Sequence, residues 1–118
     1  PFLGIDCSGF GNRKAGPLLK EEYCMEIVIT AILKAHPGKE EALRDALHRV
    51  IPPSRSEEGC LAYVLHEAID APGTFVFYEK YKDENALNHH IHSSHYQAYR
   101  DEAGELLAVR EVYRLHEV

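Results

Sequence analysis

The stretch that most constrains the fold is Glu26–Lys34, because its side chains are largely apolar at both odd and even positions. β-Branched residues dominate the stretch, which favours a strand. Successive side chains of a strand point to opposite faces of the sheet. One face would carry Ile27, Ile29, Ala31 and Leu33, and the other Val28, Thr30 and Ile32. A strand covered on one face only is usually polar at every second position, so we expect this strand to be buried on both faces.

A helix is predicted after this strand, from about Lys39 to Ile51, following a turn at Pro37-Gly38. Its apolar residues recur at the spacing of one helical face. These residues are Ala42, Leu43, Ala46, Leu47, Val50 and Ile51. Pro52-Pro53 is predicted to end the helix, because proline lacks the amide hydrogen that an interior turn needs.

Two further strands are predicted at Cys60–Ala68 and Thr74–Tyr81, and the short loop between them favours an antiparallel hairpin. Asp83 is expected to cap a second helix. The inward side of that helix would carry Ala86, Leu87, His90 and Ile91. A third helix follows the Ser93-Ser94 break, with Tyr96, Tyr99, Ala103, Leu106 and Leu107 at helical spacing. Residues 108–118 alternate and predict a fourth strand.

The predicted order of elements is β-α-β-β-α(α)-β, which is typical of a ferredoxin-like α+β fold with helices on one face of an antiparallel sheet. The helices can cover only that one face, although the strands look apolar on both. We therefore expect the second face to meet the same face of another copy, giving a homodimer in the form of a dimeric α/β barrel.

The chain of 118 residues is long enough for one domain with one core. With 19 acidic and 13 basic residues its net charge is −6, which argues against nucleic acid or an anionic membrane as the main partner. No apolar run reaches the roughly 18 residues of a membrane-spanning helix. Cys7, Cys24 and Cys60 are odd in number and form no Cys-x-x-Cys pair, so a reducing, cytoplasmic location is expected.

Residues 1–24 differ from the rest of the chain, because glycines and Pro17 interrupt every helical or strand period. Met25, the only methionine, stands directly before the first predicted strand. Residues 1–24 are therefore interpreted as an N-terminal extension, either non-native or an arm that docks on a dimer partner. Residues 25–118 form the predicted ferredoxin-like domain.

The chemically distinctive residues are concentrated between Phe75 and Tyr99, which hold half of the eight histidines, four of the seven tyrosines and Glu79. Imidazole is the side chain most easily poised to exchange protons near neutral pH. Histidines beside aromatics and a carboxylate suit proton transfer to or from a flat organic substrate. The alternative is a solvated, histidine-rich helix beside an aromatic core.

From Met25 onward the chain resembles the antibiotic biosynthesis monooxygenase family, whose members include small quinol monooxygenases. The resemblance rests on an ordered set of short motifs. They are Pro37-Gly38-Lys39-Glu40, Glu58-Gly59-Cys60-Leu61-x-Tyr63, Pro72-Gly73-x-Phe75, Tyr78-Glu79-x-Tyr81-x-Asp83-Glu84-x-Ala86-Leu87 and His90-x-x-x-x-His95-Tyr96. The resemblance implies a dimeric α+β barrel that oxidises a quinol- or phenol-like aromatic with dioxygen and without a cofactor. One fold hosts several chemistries, so these motifs specify the fold better than the reaction.

Site roles follow from the resemblance together with the positions of the residues. His90 is the preferred base, because it lies on the same helical face as Ala86 and Leu87. His95 would orient or donate, and Glu79 would fix an imidazole tautomer. Substrate-binding roles are expected for Tyr63, Tyr78, Tyr81 and Tyr96. Each residue also has a purely structural alternative. The histidines would be buried structural residues, Glu79 would be a hydrogen-bonding strut inside the barrel, and the tyrosines would be core or interface aromatics.

Other functions stay open. The run from Tyr78 also resembles relatives that isomerise phosphorylated autoinducer-2 breakdown products, and a module that only binds hydrophobic ligands is a third alternative. Haem degradation is disfavoured, because the relatives that degrade haem depend on tryptophan and this chain has none. No metal site is predicted, since the Ser93-Ser94 break separates His95 from His89 and His92. Cys60 is interpreted as a buried hydrophobe rather than a nucleophile.

Overall fold

The computed structural model describes residues 25–118, so the predicted extension at residues 1–24 lies outside the described residues. Seven elements follow one another along the chain. They are β1 (Ile27–Ala35), α1 (Glu40–Arg55), β2 (Cys60–Glu67), β3 (Thr74–Tyr81), α2 (Glu84–Ile91), α3 (Ser94–Ala103) and β4 (Leu107–Leu115). None of the helices within this part of the chain is long and apolar enough to cross a bilayer.

The four strands form one antiparallel sheet in the order β2-β3-β1-β4. β1 lies in the interior of the sheet, where Thr30 is opposite Tyr78 of β3 on one side and Tyr113 of β4 on the other. β2 and β3 form the predicted hairpin. The predicted α+β ferredoxin-like fold is confirmed.

The prediction that Pro52-Pro53 ends the first helix is wrong, because α1 continues to Arg55 with both prolines inside its last turn. Proline removes the bond to the carbonyl four residues earlier. Here those carbonyls belong to His48 and Arg49, which are both exposed, so water can satisfy them. The extra turn places Ser54 in the buried row of the helix, whereas Ala42, which was expected there, is exposed.

The third helix is shorter than the spacing of its apolar residues predicted. α3 ends at Ala103, before Gly104, and Leu106 lies in the turn that follows. Leu107 begins β4. Glycine is a poor residue for a helix interior, which agrees with the end of α3 at this point.

The two faces of the sheet differ in burial. The helix-covered face carries every second residue of β1, beginning with Ile27 and ending with Ala35, and all of these residues are buried. On the other face, which we call the open face, Val28, Thr30 and Ile32 are only half-buried. We expected β1 to be buried on both faces, but within the single chain it is fully buried only on the helix-covered face. The homodimer that would cover the open face stays a prediction.

The core on the helix-covered face has two parts. Under α1 and α3 it contains Leu43, Leu47 and Phe75, which are almost fully buried. Under α2 it contains Tyr81 and Leu87 together with β1 side chains. The candidate site lies beside these two clusters, where α2 and α3 meet the sheet.

Candidate active site

The loop between α1 and β2 carries Glu57 toward α2. The carbonyl of Gly59 accepts a hydrogen bond from the amide of Lys82 at 2.9 Å, which holds the loop against the end of β3. A Cβ atom added to Gly59 would lie 2.3 Å from the Cβ of Ala86 in α2. The loop therefore needs glycine at this position to lie so close to α2.

Two histidines converge on the Glu57 carboxylate. Its Oε2 atom lies 2.8 Å from Nδ1 of His90 and 2.5 Å from Nε2 of His95. A carboxylate oxygen can accept from two donors, so both imidazoles can donate to the same atom. The side chains of Glu57 and His90 are 5% and 2% exposed, whereas His95 is half-buried.

The junction between α2 and α3 sets the relative positions of the two histidines. Ser93 caps α3 by accepting a hydrogen bond from the amide of Tyr96 at 3.2 Å, and its own hydroxyl donates to the carbonyl of His90 at 2.7 Å. Asp83 caps α2 in the predicted way, accepting from the amide of Ala86. The two caps therefore fix where α2 and α3 begin, and so fix the positions of the two histidines relative to each other.

Burial and Glu57 together determine the state of His90. Burial lowers the pKa of His90, because the charged form loses its water, and the hydrogen bond that His90 donates to Glu57 only partly offsets this. His90 is therefore neutral at pH 7. Because Glu57 accepts from Nδ1–H, the lone pair of the ring lies on Nε2. Nε2 is buried and has no hydrogen-bond partner among residues 25–118.

A cavity of about 190 Å³ lies between the helix-covered face and the helices α2 and α3, and His90 forms part of its wall. The wall is mainly apolar and aromatic. It includes Ile29, Ala31, Tyr63, Phe77, Leu87, Tyr96 and Tyr99. Burial raises the pKa of Tyr63, and it raises the pKa of Tyr99 to about 12, so both hydroxyls stay protonated at neutral pH. The cavity is therefore a mainly apolar space whose wall includes one histidine and three tyrosines.

Glu79 adds a second carboxyl group to the cavity wall, but it does not bind a histidine. Its Oε1 atom accepts a hydrogen bond from the hydroxyl of Tyr81 at 2.8 Å. Burial raises the pKa of Glu79 to about 7. The expectation that Glu79 fixes an imidazole tautomer is therefore wrong for this structure, because Glu57 occupies that position.

β4 contributes the arginines of the cavity wall. Arg114 forms a bidentate ion pair with Glu84, at 2.7 and 2.8 Å. Arg110 donates instead to the hydroxyl of Tyr96, at 3.4 Å. Both arginines lie on the helix-covered face, because their β1 partners in the register, Leu33 and Ile29, are buried there.

Comparison with known proteins identifies the family of this fold. Residues 26–102 match the family described as "Antibiotic biosynthesis monooxygenase". The chain belongs to the antibiotic biosynthesis monooxygenase family. It is 40% identical over 81 residues to "Putative monooxygenase Rv0793" of Mycobacterium tuberculosis, a match that covers 69% of this chain and 79% of that protein.

Two further comparisons agree with this membership of the antibiotic biosynthesis monooxygenase family. "Putative monooxygenase YcnE" of Bacillus subtilis is 37% identical over 82 residues, covering 70% of this chain and 86% of that protein. The crystal structure of PA3566 from Pseudomonas aeruginosa has a TM-score of 0.76 at 30% identity, covering 80% of this chain and 95% of that one. Sequence and fold therefore agree, and the family resemblance seen in the sequence is confirmed.

In this antibiotic biosynthesis monooxygenase domain the predicted site residues are only partly brought together. His90 and His95 meet at Glu57, and Glu79, Tyr63 and Tyr96 line the cavity beside His90. The ring of Tyr81 lies 5.3 Å from that of His90 but is fully buried in the core. Tyr78 lies on the open face and is 40% exposed, because strand alternation directs it away from Glu79 and the cavity.

The sequence reasoning missed Glu57 and Arg110. Glu57 and Glu58 are adjacent in a loop, and no periodicity indicates which of them faces inward. For Arg110 a signal did exist, since Arg110 and Arg114 are four residues apart in an alternating strand and must share a face.

One group of side chains within residues 25–118 has the donor set of a metal site. The ligating atoms of Glu57, His90 and His95 all lie within 4.8 Å of one another. Two histidines and one carboxylate suit several divalent metals. A metal there would displace the hydrogen atoms that now link both imidazoles to Glu57. His89 and His92, which were weighed as ligands with His95, are both exposed and lie outside this group.

Proposed function

We propose that this member of the family is a cofactor-independent monooxygenase that oxidises a quinol- or phenol-like aromatic with dioxygen. One observation carries the proposal: His90 is neutral, is held through Nδ1 by Glu57, and forms part of the wall of an apolar cavity. A reaction of this kind needs a base, a space that excludes water and donors that hold the substrate anion. In this proposal His90 is the base, the apolar wall limits the access of water, and tyrosine hydroxyls are the donors.

In the first step, Nε2 of His90 takes the proton of a substrate hydroxyl. The imidazolium that forms is stabilised by the Glu57 carboxylate at 2.8 Å, which also keeps the ring in one orientation. His95 donates to the same carboxylate oxygen and so fixes its position from a second side. Glu57 and His95 are positioning residues in this scheme, and His90 is the base.

In the second step, the substrate anion transfers an electron to dioxygen, and the resulting radical pair combines to form a carbon–oxygen bond. One oxygen atom stays in the product and the other leaves as water, taking up the proton held on His90 and the proton lost from the ring carbon that is oxygenated. For a quinol, the products are a hydroxyquinone and water. All the electrons come from the substrate, so the reaction balances without an external reductant.

The size of the cavity supports a small aromatic substrate. An engineered cavity of about 150 Å³ in another protein holds a benzene molecule. A cavity of about 190 Å³ therefore has room for one substituted ring. His90 and Tyr96 contact each other, with ring centroids 4.8 Å apart, and would both lie on the same side of such a ring.

A homodimer through the open face is part of the proposal. Tyr78 and Tyr113, which are opposite Thr30 in the register, are 40% and 49% exposed there. Leu115 and Val64 add exposed apolar surface on the same face. The same face of a second copy would cover this surface with matching apolar side chains. Among residues 25–118 Cys60 has no disulfide partner, and a reducing cytoplasm is proposed as the location.

The isomerase of a small phosphorylated dicarbonyl is the second candidate, and one observation favours it. Arg110 lies in the cavity wall without a carboxylate partner among residues 25–118, as a phosphate-binding residue would. His90 would then move a proton between neighbouring carbon atoms. A module that only binds hydrophobic ligands would need the cavity but not the Glu57–His90 pair.

Oxygen consumption with a panel of single-ring quinols, in the presence of a metal chelator and without flavin, tests the proposal. We expect turnover, with oxygen-18 from dioxygen entering the product, and a loss of at least about a hundredfold in kcat for His90→Gln. His89→Gln, a change at an exposed neighbouring histidine, serves as the matched control and should retain the rate. Deuterium washout from a phosphorylated dicarbonyl without oxygen uptake would instead favour the isomerase. Binding without any turnover would favour the binding module.

A further inference from the structure

Two arginines meet at the hydroxyl of Tyr96. Nη1 of Arg100, on α3, and Nη2 of Arg110, on β4, each lie 3.4 Å from that oxygen. Arg110 and Tyr96 are both part of the cavity wall, and Arg100 contacts that wall through Tyr96. We call these two residues the arginine pair. It brings two positive charges to the edge of the cavity.

The arginine pair has no acidic partner among residues 25–118, although the whole chain has a net charge of −6. Other arginines of the domain do pair with carboxylates: Arg114 with Glu84, Arg44 with Glu67 and Arg49 with Glu102. The Nε atom of Arg100 is buried and has no hydrogen-bond partner within the described part of the chain. Buried guanidinium donors normally have acceptors, so the pair has donors to spare for an anion.

Glu79 is the carboxyl group of the cavity wall whose charge acts on Arg110, but it does not neutralise the pair. It accepts a hydrogen bond from Tyr81, and burial raises its pKa to about 7, so much of it is uncharged near neutral pH. Glu84, the other carboxyl group of the wall, is bound to Arg114. The positive charge of the pair therefore remains available at this edge.

We infer that the substrate of this site carries a carboxylate that binds the arginine pair while its hydroxyl group meets His90. This inference rests on the proposed function for the role of His90. The ring of Tyr96 connects the two ends: its centroid lies 4.8 Å from that of His90, and its hydroxyl marks the position of the arginines. His90 and the two arginines therefore all lie beside the side chain of Tyr96. A ring with a hydroxyl group and a carboxylate on different carbons matches both.

Binding of two matched quinols tests the inference. Hydroquinone and 2,5-dihydroxybenzoate share the quinol ring and differ only in the carboxylate. Under anaerobic conditions, calorimetry should show that the carboxylate improves affinity about tenfold or more, since hydrogen bonds to charged groups are stronger than neutral ones. Arg110→Ala should remove this preference, so that the two ligands bind the variant with similar affinity. Arg49→Ala, which removes an exposed arginine of α1, should change neither affinity.

Equal affinity of the two ligands, or an equal loss for both in Arg110→Ala, would overturn the inference. Arg100→Lys keeps the charge but loses the Nε donor, and it should reduce the preference without abolishing it. A third ligand, 4-hydroxyphenyl phosphate, distinguishes the type of anion. If it alone requires Arg110, the carboxylate assignment is wrong and a phosphorylated substrate replaces it.

The anaerobic binding data do not depend on turnover. A carboxylate preference that requires Arg110, without oxygen uptake by either quinol, would support the inference and contradict the proposed function. Oxygen uptake with hydroquinone, without any carboxylate preference, would support the proposed function and contradict the inference.

Discussion

Two buried carboxyl groups belong to the candidate site, one bound to His90 and one in the cavity wall that His90 also lines, and their surroundings differ. Glu57 accepts from two imidazoles through one oxygen atom. Glu79 accepts from the phenol of Tyr81, and burial raises its pKa to about 7. The two side chains are similarly buried, so burial alone does not distinguish them. Their hydrogen-bond partners distinguish them. The imidazoles beside Glu57 can become positively charged, whereas the phenol beside Glu79 cannot.

This difference assigns the two carboxyl groups opposite electrostatic roles. A negative Glu57 stabilises the imidazolium that forms when His90 accepts a proton. A negative Glu79 in the cavity wall would repel the substrate anion that forms at the same moment. We therefore expect the reaction to need Glu57 charged and Glu79 neutral.

Glu57→Gln should have the larger effect, because it changes the partner of the base itself. We expect kcat to fall by about a hundredfold or more, since the amide does not hold both imidazoles or stabilise the imidazolium. Glu57 raises the pKa of His90 against the effect of burial. The acid limb of the kcat/KM profile, below about pH 6.5 in the wild type, should therefore move to lower pH. Glu58→Gln, at the exposed neighbour, is the matched control. A rate loss without any movement of the acid limb would indicate a purely structural role.

Glu79→Gln should change the pH dependence rather than the maximum rate. In the wild type, kcat/KM should fall as pH rises through about 7, where Glu79 ionises. The variant should lose this basic limb, because the amide stays neutral. A wild-type profile that stays flat up to pH 9 would contradict the assigned role of Glu79.

The stability of the fold should respond to Glu79 in the same pH range. The folded protein holds a proton on Glu79 between pH 4.5 and about 7, whereas the unfolded chain does not. The free energy of unfolding should therefore decrease as pH rises through this range, by roughly 3 kcal/mol from this group. Denaturant unfolding of wild type and Glu79→Gln at several pH values measures this. Parallel curves for the two proteins would show that Glu79 does not titrate in this way.

Tyr81→Phe should have the smallest effect. The hydroxyl of Tyr81 donates to Glu79 and so lowers its pKa against the effect of burial. Removing that hydroxyl should move the basic limb of kcat/KM to higher pH and cost about 1 kcal/mol of stability. Tyr78→Phe, a change on the open face, should leave the limb in place. A shift to lower pH in Tyr81→Phe would show that the hydrogen bond favours the neutral carboxyl group instead.

The fold could be predicted because its signals are periodic. The β-branched residues of β1, the helical spacing of apolar residues in α1 and the capping position of Asp83 each depend on residues within one element, and the order of elements selects the ferredoxin-like arrangement. The same reasoning placed His90 on the inner face of α2, since its spacing from Ala86 and Leu87 is local information.

The partner of His90 could not be predicted in this way. Glu57 lies 33 residues from His90, in a loop that has no period, and its neighbour Glu58 has the same chemistry. Its position depends on the continuation of α1 through Pro52-Pro53, which local propensity opposes, and on the close approach of Gly59 to Ala86. Both depend on tertiary packing, which overrides local preference.

The junction at Ser93 allows the wall that contacts the ligand to change shape without a change in the proton-accepting group. One hydroxyl joins the end of α2 to the start of α3, with His90 before it and Tyr96 after it. A change in the length of this connection would tilt the wall that touches the ligand, while the base stays anchored to its own helix and to the sheet. The range of molecules accepted could thus be altered without rebuilding the proton-accepting group.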